Sequence, residues 1–119
     1  LGSVNLFRGR VAGQGLGIGE QQLGGPISSQ LAQGSAAIAY VRPHELEILP
    51  ADAPGGISAT ITRLLPMGPR IRVELRGDGE TRGAHYEAEL SKEAARAFAP
   101  GQGVRLVARH AQLYPDYQI

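Results

Sequence analysis

Residues 70–76 read Arg-Ile-Arg-Val-Glu-Leu-Arg, and this stretch decides the fold. Apolar and charged side chains alternate along it, which is the period of a β-strand with one face in a core and one in solvent. Residues 57–65 and 85–90 alternate in the same way, and turn-forming residues at 66–69 and 77–80 separate the three segments. The centre of the chain therefore predicts three strands joined by turns.

Strands are also predicted on both sides of this centre, at residues 3–11, 27–32, 35–41, 46–49 and 104–109. Ser91 is a plausible N-cap for one short helix over residues 92–99, which Pro100 and Gly101 end. The alternating glycines at 13–19 indicate a mobile hairpin connection or a poorly packed edge, residues 24–26 indicate a turn, and residues 113–119 resemble a tail. About seven or eight short strands predict an all-β fold closed into a small barrel.

Length and composition fit one soluble domain. The chain has 119 residues, 42% of them hydrophobic, with 17 glycines and 8 prolines, which favours many turns and few long helices. A net charge of +1 gives no reason to expect nucleic-acid binding, and the absence of cysteine excludes disulfides and thiolate chemistry. Because the chain begins at Leu1 and has Met67 as its only methionine, we expect it to be a piece of a longer polypeptide.

Motifs for catalysis are missing from the sequence. Lys92, the only lysine, has no phosphate-binding glycine loop around it, and the glycines at 13–19 do not match the dinucleotide-binding spacing. His44 and Glu45 do not form a zinc-protease motif, because the required second histidine position is Ile48. No serine lies in a nucleophile elbow. We therefore predict no catalytic, cofactor or metal residues in this chain.

One row of charged side chains leaves two interpretations open. A strand over residues 85–90 places on one face His85, Glu87 and Glu89. This row has the spacing of metal ligands, but the preceding strand offers arginines at 70, 72 and 76. Cross-strand ion pairs on the solvent face explain both rows, and we favour them over a metal site.

Arginines supply the candidate binding site. Pro43 holds Arg42 in an extended conformation, so Arg42 and His44 project from a rigid corner at a strand end. Arginines that converge near backbone amides hold small oxyanions by bidentate hydrogen bonds. The candidate contacts are Arg42, His44, Arg70 and Arg72. The alternative is that these arginines serve solubility and ion pairing.

The same residues resemble a known family. Residues 2–11, Gly-Ser-Val-Asn-Leu-Phe-Arg-Gly-Arg-Val, are similar to the start of the C-terminal regulatory (TOBE) domain in ATP-hydrolysing subunits of bacterial ABC importers. Residues 39–45, with their arginine-proline strand end, resemble its most recognisable segment, and His44 is similar to the sulfate/thiosulfate branch. Residues 64–75 and 101–108 resemble the strands that follow.

The resemblance implies that residues 1–119 form one regulatory domain, an OB-like barrel with additional strands and one short helix. It implies a second copy of the ATPase subunit and the permease subunits as partners, at the cytoplasmic side of the bacterial inner membrane, with no nucleic acid. ATP and magnesium would bind in the missing ATPase part, so this fragment would need no cofactor and would not be an enzyme. The glycine-rich residues 14–25 depart from the family's compact hairpin.

Two other functions remain open at this stage. The chain could be a stand-alone binder of a small oxyanion such as molybdate, built on a related barrel, and its complete gene would then be short. An isolated enzyme would require turnover by the fragment alone.

Overall fold

The computed structural model describes residues 2–24, 27–28 and 30–117. Strands dominate this part of the chain: β1 Asn5–Ala12, β2 Gly15–Ile18, β3 Gln21–Leu23, β4 Ile27–Ser28, β5 Ala36–Val41, β6 Leu46–Pro50, β7 Ile57–Met67, β8 Arg70–Gly77, β9 His85–Ser91, β10 Gly103–Ala108 and β11 Ala111–Pro115. Helical structure is confined to α1, Lys92–Ala95, and the 3-10 turns Pro43–Glu45 and Gly79–Thr81. The all-β fold class with one short helix is confirmed.

The strands form two sheets. The first has the order β3-β2-β1-β5-β11-β4, antiparallel except where β4 pairs with β11 in parallel. The second has the order β6-β10-β7-β8-β9 and is antiparallel throughout. Its end strands β6 and β9 contact each other, so this sheet curves towards a closed barrel.

Both sheets contribute to one hydrophobic core. Phe7 of β1 is 1% exposed and stacks on Tyr86 of β9, with the ring centroids 4.6 Å apart. On β8 the alternation behaves as predicted, because Val73 and Leu75 are buried while Glu74 is partly exposed and Arg76 is exposed. The two sheets are therefore packed against each other through the side chains that the alternation assigns to the interior.

The glycine-rich segment is better packed than expected. Residues 15–18 form β2, and Leu16 is fully buried. A Cβ atom on Gly9 would overlap the carbonyl oxygen of Gly17, so the first hairpin depends on glycine for a close approach of two backbones. The segment is a hairpin, as predicted, but the prediction of a poorly packed edge is wrong, because Leu16, Ile18 and Leu23 are buried. Residues 25, 26 and 29 lie outside the described residues.

Helix α1 and the C-terminal residues also differ from the prediction. Helix α1 stops at Ala95, because the backbone then turns so that Gly101 N–H bonds to the Ile61 carbonyl of β7 at 2.7 Å. Residues 111–115, partly assigned to a tail, form β11, whose Leu113 is 5% exposed and lies opposite Ala39 of β5. Residues 118 and 119 lie outside the described residues. None of the described helices has the length and apolar character needed to cross a membrane.

Candidate functional site

The arginine-proline corner has the predicted geometry. Strand β5 ends at Val41, and Arg42 is extended with φ −68° and ψ 152°. Pro43 begins the 3-10 turn and is buried, and the Glu45 amide donates to the Arg42 carbonyl at 2.9 Å. Arg42 and His44 are both exposed, so the corner presents a guanidinium and an imidazole from a fixed backbone.

Ion pairs link β8 and β9 on their outward face. The Arg72 Nη1 atom lies 2.9 Å from Glu87 Oε1, and its Nη2 atom lies 3.6 Å from Glu89 Oε2. Arg70 Nε lies 3.5 Å from Glu89 Oε1. These pairs confirm the predicted cross-strand pairing of the two rows for Arg70 and Arg72.

The corner and the ion pairs meet at one open cavity of about 270 Å³. We call it the arginine cavity, and its wall includes Arg42, His44, Arg72 and Glu89. Three of the four candidate residues thus come together. Arg70 is not part of the wall and approaches it through its pairing with Glu89.

The charged side chains of the arginine cavity differ in whether they are already paired within the protein. Both terminal nitrogens of Arg72 face carboxylates, and its buried Nε–H has no hydrogen-bond partner among the described residues. Arg42 donates to the Ser3 carbonyl at 3.4 Å and forms no ion pair among the described residues. Arg42 and His44 are therefore the groups able to meet a ligand, whereas Glu89 opposes an anion there.

Asn5 is the residue that the sequence reading missed. Its side chain donates to the Val41 carbonyl at 3.0 Å and the Glu87 carbonyl at 2.8 Å, and it accepts from the Glu87 amide at 2.7 Å. The Asn5 side chain thus satisfies the backbone N–H and C=O of Glu87 at the edge of the second sheet and links them to the end of β5. A polar residue at an inward position of β1, two residues before Phe7, was the available signal.

Other sites for chemistry are not indicated. His85, Glu87 and Glu89 share one strand, but no group of three or more metal-ligating side chains is positioned to hold an ion within residues 2–24, 27–28 and 30–117. Burial raises the pKa of the Tyr86 hydroxyl above its ordinary 10.0, although a hydrogen bond with the Thr81 side chain lowers it in part. Tyr86 stacks within the core, so this shift has a structural cause.

Family models match two consecutive segments of the chain. The CysA C-terminal regulatory domain matches residues 5–48, and a TOBE-like domain matches residues 51–109. The chain belongs to the family of CysA C-terminal regulatory, TOBE-like domains. The arginine-proline corner lies in the first of these segments and the β8–β9 ion pairs lie in the second.

Relatives of this TOBE-like chain are much longer than the chain itself. It is 40% identical over 116 residues to the sulfate/thiosulfate import ATP-binding protein CysA 1 of Chromobacterium violaceum, covering 96% of this chain and 32% of the relative. It is 38% identical over 121 residues to the sulfate/thiosulfate import ATP-binding protein CysA of Nitrosomonas europaea, and the match covers 98% of this chain and 33% of that relative. The chain therefore spans about a third of the length of these relatives.

A solved structure shares the fold. The cytoplasmic molybdate-binding protein ModG, with molybdate bound, superposes with a TM-score of 0.64 and 20% identity. The match covers 94% of this chain and 96% of ModG. At this identity the likeness concerns the OB-like architecture of the TOBE-like chain.

Proposed function

We propose that this chain is the C-terminal regulatory and dimerisation domain of the ATP-binding subunit of an ABC importer for sulfate or thiosulfate. The observation that carries the proposal is the match to two import ATP-binding proteins over nearly the whole of this chain and a third of theirs. Residues 1–119 are then one domain of a longer ATPase subunit. It acts by non-covalent contacts that bias the populations of the subunit's conformations.

In this proposal the remaining machinery lies outside residues 1–119. ATP and magnesium bind to the ATPase part, and the partners are a second copy of the subunit and the permease subunits, at the cytoplasmic side of the bacterial inner membrane. The chain itself is not an enzyme and has no nucleic-acid partner. Purified residues 1–119 should therefore hydrolyse no ATP, and measurable turnover by them would contradict the proposal.

The regulatory signal that the arginine cavity suits best is a small oxyanion. Arg42 offers a planar fork of N–H donors and His44 adds a ring N–H donor on the same exposed corner. Arg72 and Arg70 partly neutralise Glu89, which lines the cavity wall, by pairing with it. The oxyanion would bind to Arg42 and His44 at the mouth of the cavity.

Titration calorimetry of the chain with sulfate, thiosulfate and molybdate tests this proposal. Arg42→Gln should weaken sulfate binding about tenfold, which corresponds to about 1.4 kcal/mol. Glu89→Gln should strengthen it severalfold, because the substitution removes a negative charge from the cavity wall. Arg63→Gln is the matched control, since Arg63 is paired with Glu74 at 3.1 Å outside the cavity.

Opposite outcomes would overturn the oxyanion site. If millimolar sulfate, thiosulfate and molybdate gave no binding heat and no shift of the thermal unfolding midpoint, the oxyanion site would be excluded. If Arg42→Gln and Arg63→Gln weakened sulfate binding equally, the loss of affinity would reflect only the loss of one positive charge, wherever it lies.

The alternative, a stand-alone molybdate-type binder, is supported by the fold of ModG and by nothing more specific. The length of the complete gene product separates the two functions. A product about three times as long as this chain supports the importer subunit, and a product near 119 residues supports the stand-alone binder.

A further inference from the structure

The row of ion pairs on the outward face of β7, β8 and β9 stops before the end of β8. Three arginines of this face are paired with carboxylates at 2.9–3.6 Å: Arg63, Arg70 and Arg72. Arg76, the next arginine along β8, lies opposite Thr60 of β7 and His85 of β9. Neither neighbour carries a negative charge, so Arg76 lacks the carboxylate that cross-strand pairing gives the other three.

Arg76 borders an open cavity of about 450 Å³ at the connection between β8 and β9. We call it the hairpin cavity, and its wall includes Arg76, Asp78, Arg82 and His85. The side chains of Arg76, Arg82 and His85 are exposed. Within the described part of the chain, the two guanidinium groups have neither an ion pair nor a hydrogen bond. The hairpin cavity therefore has two unpaired positive charges in its wall.

These groups suit a small anion with several oxygen atoms. Each guanidinium offers a planar fork of N–H donors, and the imidazole of His85 adds a ring N–H. Glycines at 79 and 83 also line the cavity, and a Cβ atom at either position would meet nothing within 4 Å. The space beside the donors is therefore open to a ligand.

Asp78 adds an acceptor to this set of donors. Its Oδ2 atom accepts from the Thr60 hydroxyl at 2.8 Å. Aspartate before a helical turn commonly caps it, but the Asp78 side chain does not cap the 3-10 turn that follows. Its Oδ1 atom has no hydrogen-bond partner among the described residues. An anion that carries a proton can donate to Oδ1, whereas an anion without a proton is only repelled by it.

We propose that the hairpin cavity binds inorganic phosphate and that Asp78 selects phosphate over sulfate. At neutral pH phosphate retains a proton and sulfate retains none. The negative oxygens of the phosphate lie towards Arg76 and Arg82, and its P–OH group donates to Asp78 Oδ1. A site that hydrogen-bonds a ligand hydroxyl rejects the analogue that lacks it, because the polar group is then left without its partner.

The arginine cavity differs from the hairpin cavity in the state of its acid. Glu89 faces Arg70 with one carboxylate oxygen and Arg72 with the other, so both oxygens already lie beside cations. The two cavities share no residue of their walls. The phosphate site is therefore independent of the proposed sulfate site and can fail or hold without it.

Nuclear magnetic resonance titration of the labelled 119-residue chain with phosphate and with sulfate, at constant ionic strength, tests the site. Shifts of the Gly79 and Gly83 amides report on the hairpin cavity alone. In the wild-type chain these shifts should saturate, with a dissociation constant for phosphate about tenfold below that for sulfate. Asp78→Asn keeps a carbonyl oxygen for the Thr60 hydroxyl and should bring the two constants within about twofold, because it removes the repulsion of sulfate.

Charge-removing variants test the two arginines. Arg76→Gln and Arg82→Gln should each raise the phosphate dissociation constant about tenfold. Arg96→Gln is the matched control, since Arg96 is exposed, has no side-chain partner among the described residues and lies outside the cavity wall. Arg42→Gln should leave phosphate binding at Gly79 and Gly83 unchanged, because Arg42 is not part of this wall.

Contrary results would overturn the proposal at separate steps. If the Gly79 and Gly83 shifts did not saturate at millimolar phosphate, the site would be excluded. If Arg76→Gln and Arg96→Gln weakened phosphate binding equally, the effect would reflect net charge alone. If wild type and Asp78→Asn showed the same ratio of phosphate to sulfate affinity, Asp78 would not be the selecting group.

Discussion

Asn5 is a polar side chain at a position where the alternation of β1 requires an apolar one. It is 4% exposed and makes three hydrogen bonds, one to the Val41 carbonyl within the first sheet and two to the Glu87 backbone in the second sheet. Its partners on β9 are backbone groups at the edge of the second sheet, where no described strand continues the hydrogen-bonded order. Asn5 therefore adds hydrogen bonds to the Phe7–Tyr86 stacking that joins β1 to β9.

Asn5→Ala should lower the free energy of unfolding by about 2–3 kcal/mol, because it leaves partly buried backbone groups without partners. Denaturant unfolding measures the change. Gln22→Ala is the control: its side chain also bonds to a backbone carbonyl, that of Ala12 at 2.7 Å, but at an exposed position. A loss for Asn5→Ala no larger than that for Gln22→Ala would contradict the role given to Asn5.

Tyr86 makes stability depend on pH in the alkaline range. Burial raises the pKa of its hydroxyl in the folded state above the unfolded value of 10.0, so the unfolded chain loses this proton first. The stabilisation is complete below pH 10 and is lost as the pH rises through the folded pKa.

Unfolding measured between pH 8 and 11 should show this loss in the wild-type chain, and Tyr86→Phe should flatten it. Tyr117→Phe should leave the wild-type slope in place, because Tyr117 is 90% exposed. Identical slopes for the wild type and Tyr86→Phe would be inconsistent with this account.

At the scale of elements, the first hairpin depends on the absence of a side chain. Gly9→Ala should lower the free energy of unfolding by about 1–3 kcal/mol, because the new Cβ overlaps the Gly17 carbonyl oxygen and forces β1 and β2 apart. Gly103→Ala in β10 is the matched control, since nothing lies within 4 Å of its Cβ position. Unfolding midpoints that fall equally in both variants would show that the close approach does not matter.

The elements that sequence reasoning recovered are those whose signals are local. The alternation of β7–β9 and the proline after Arg42 fix their conformations within a few residues. β11 was only partly recognised because its main partner is β5, more than 70 residues earlier, where Leu113 lies opposite Ala39. The glycine-rich hairpin was misjudged because alternating glycines look flexible in sequence, while their role here is close packing.

In the candidate site, too, the features with local sequence signals were predicted and those set by long-range contacts were not. Arg42 and His44 follow from the local geometry of the corner, and the pairing of Arg72 with carboxylates follows from two adjacent strands. Their meeting at one cavity depends on how the end of β5 lies against β9, which Asn5 sets from 82 residues away. Glu89 was foreseen as an ion-pair partner, and its position in the cavity wall is what the fold adds.

At the scale of the whole molecule, one core joins the two sheets and the outer surface carries the arginine cavity. A second side-chain amide, that of Gln21, accepts from the Ser58 backbone at 3.1 Å and ties β3 to β7. The side-chain amides of Asn5 and Gln21 thus both join the first sheet to the second.

The central claim is that a small oxyanion binds at the Arg42–His44 corner, and nuclear magnetic resonance on the labelled chain tests it most directly. Titration with sulfate at constant ionic strength should give saturable shifts of the backbone amides of Arg42, His44, Arg72 and Glu89, with little change at Arg63 or at Arg8 and Arg10. Shifts that grow linearly without saturation, or that spread equally over all arginine-bearing strands, would contradict the claim.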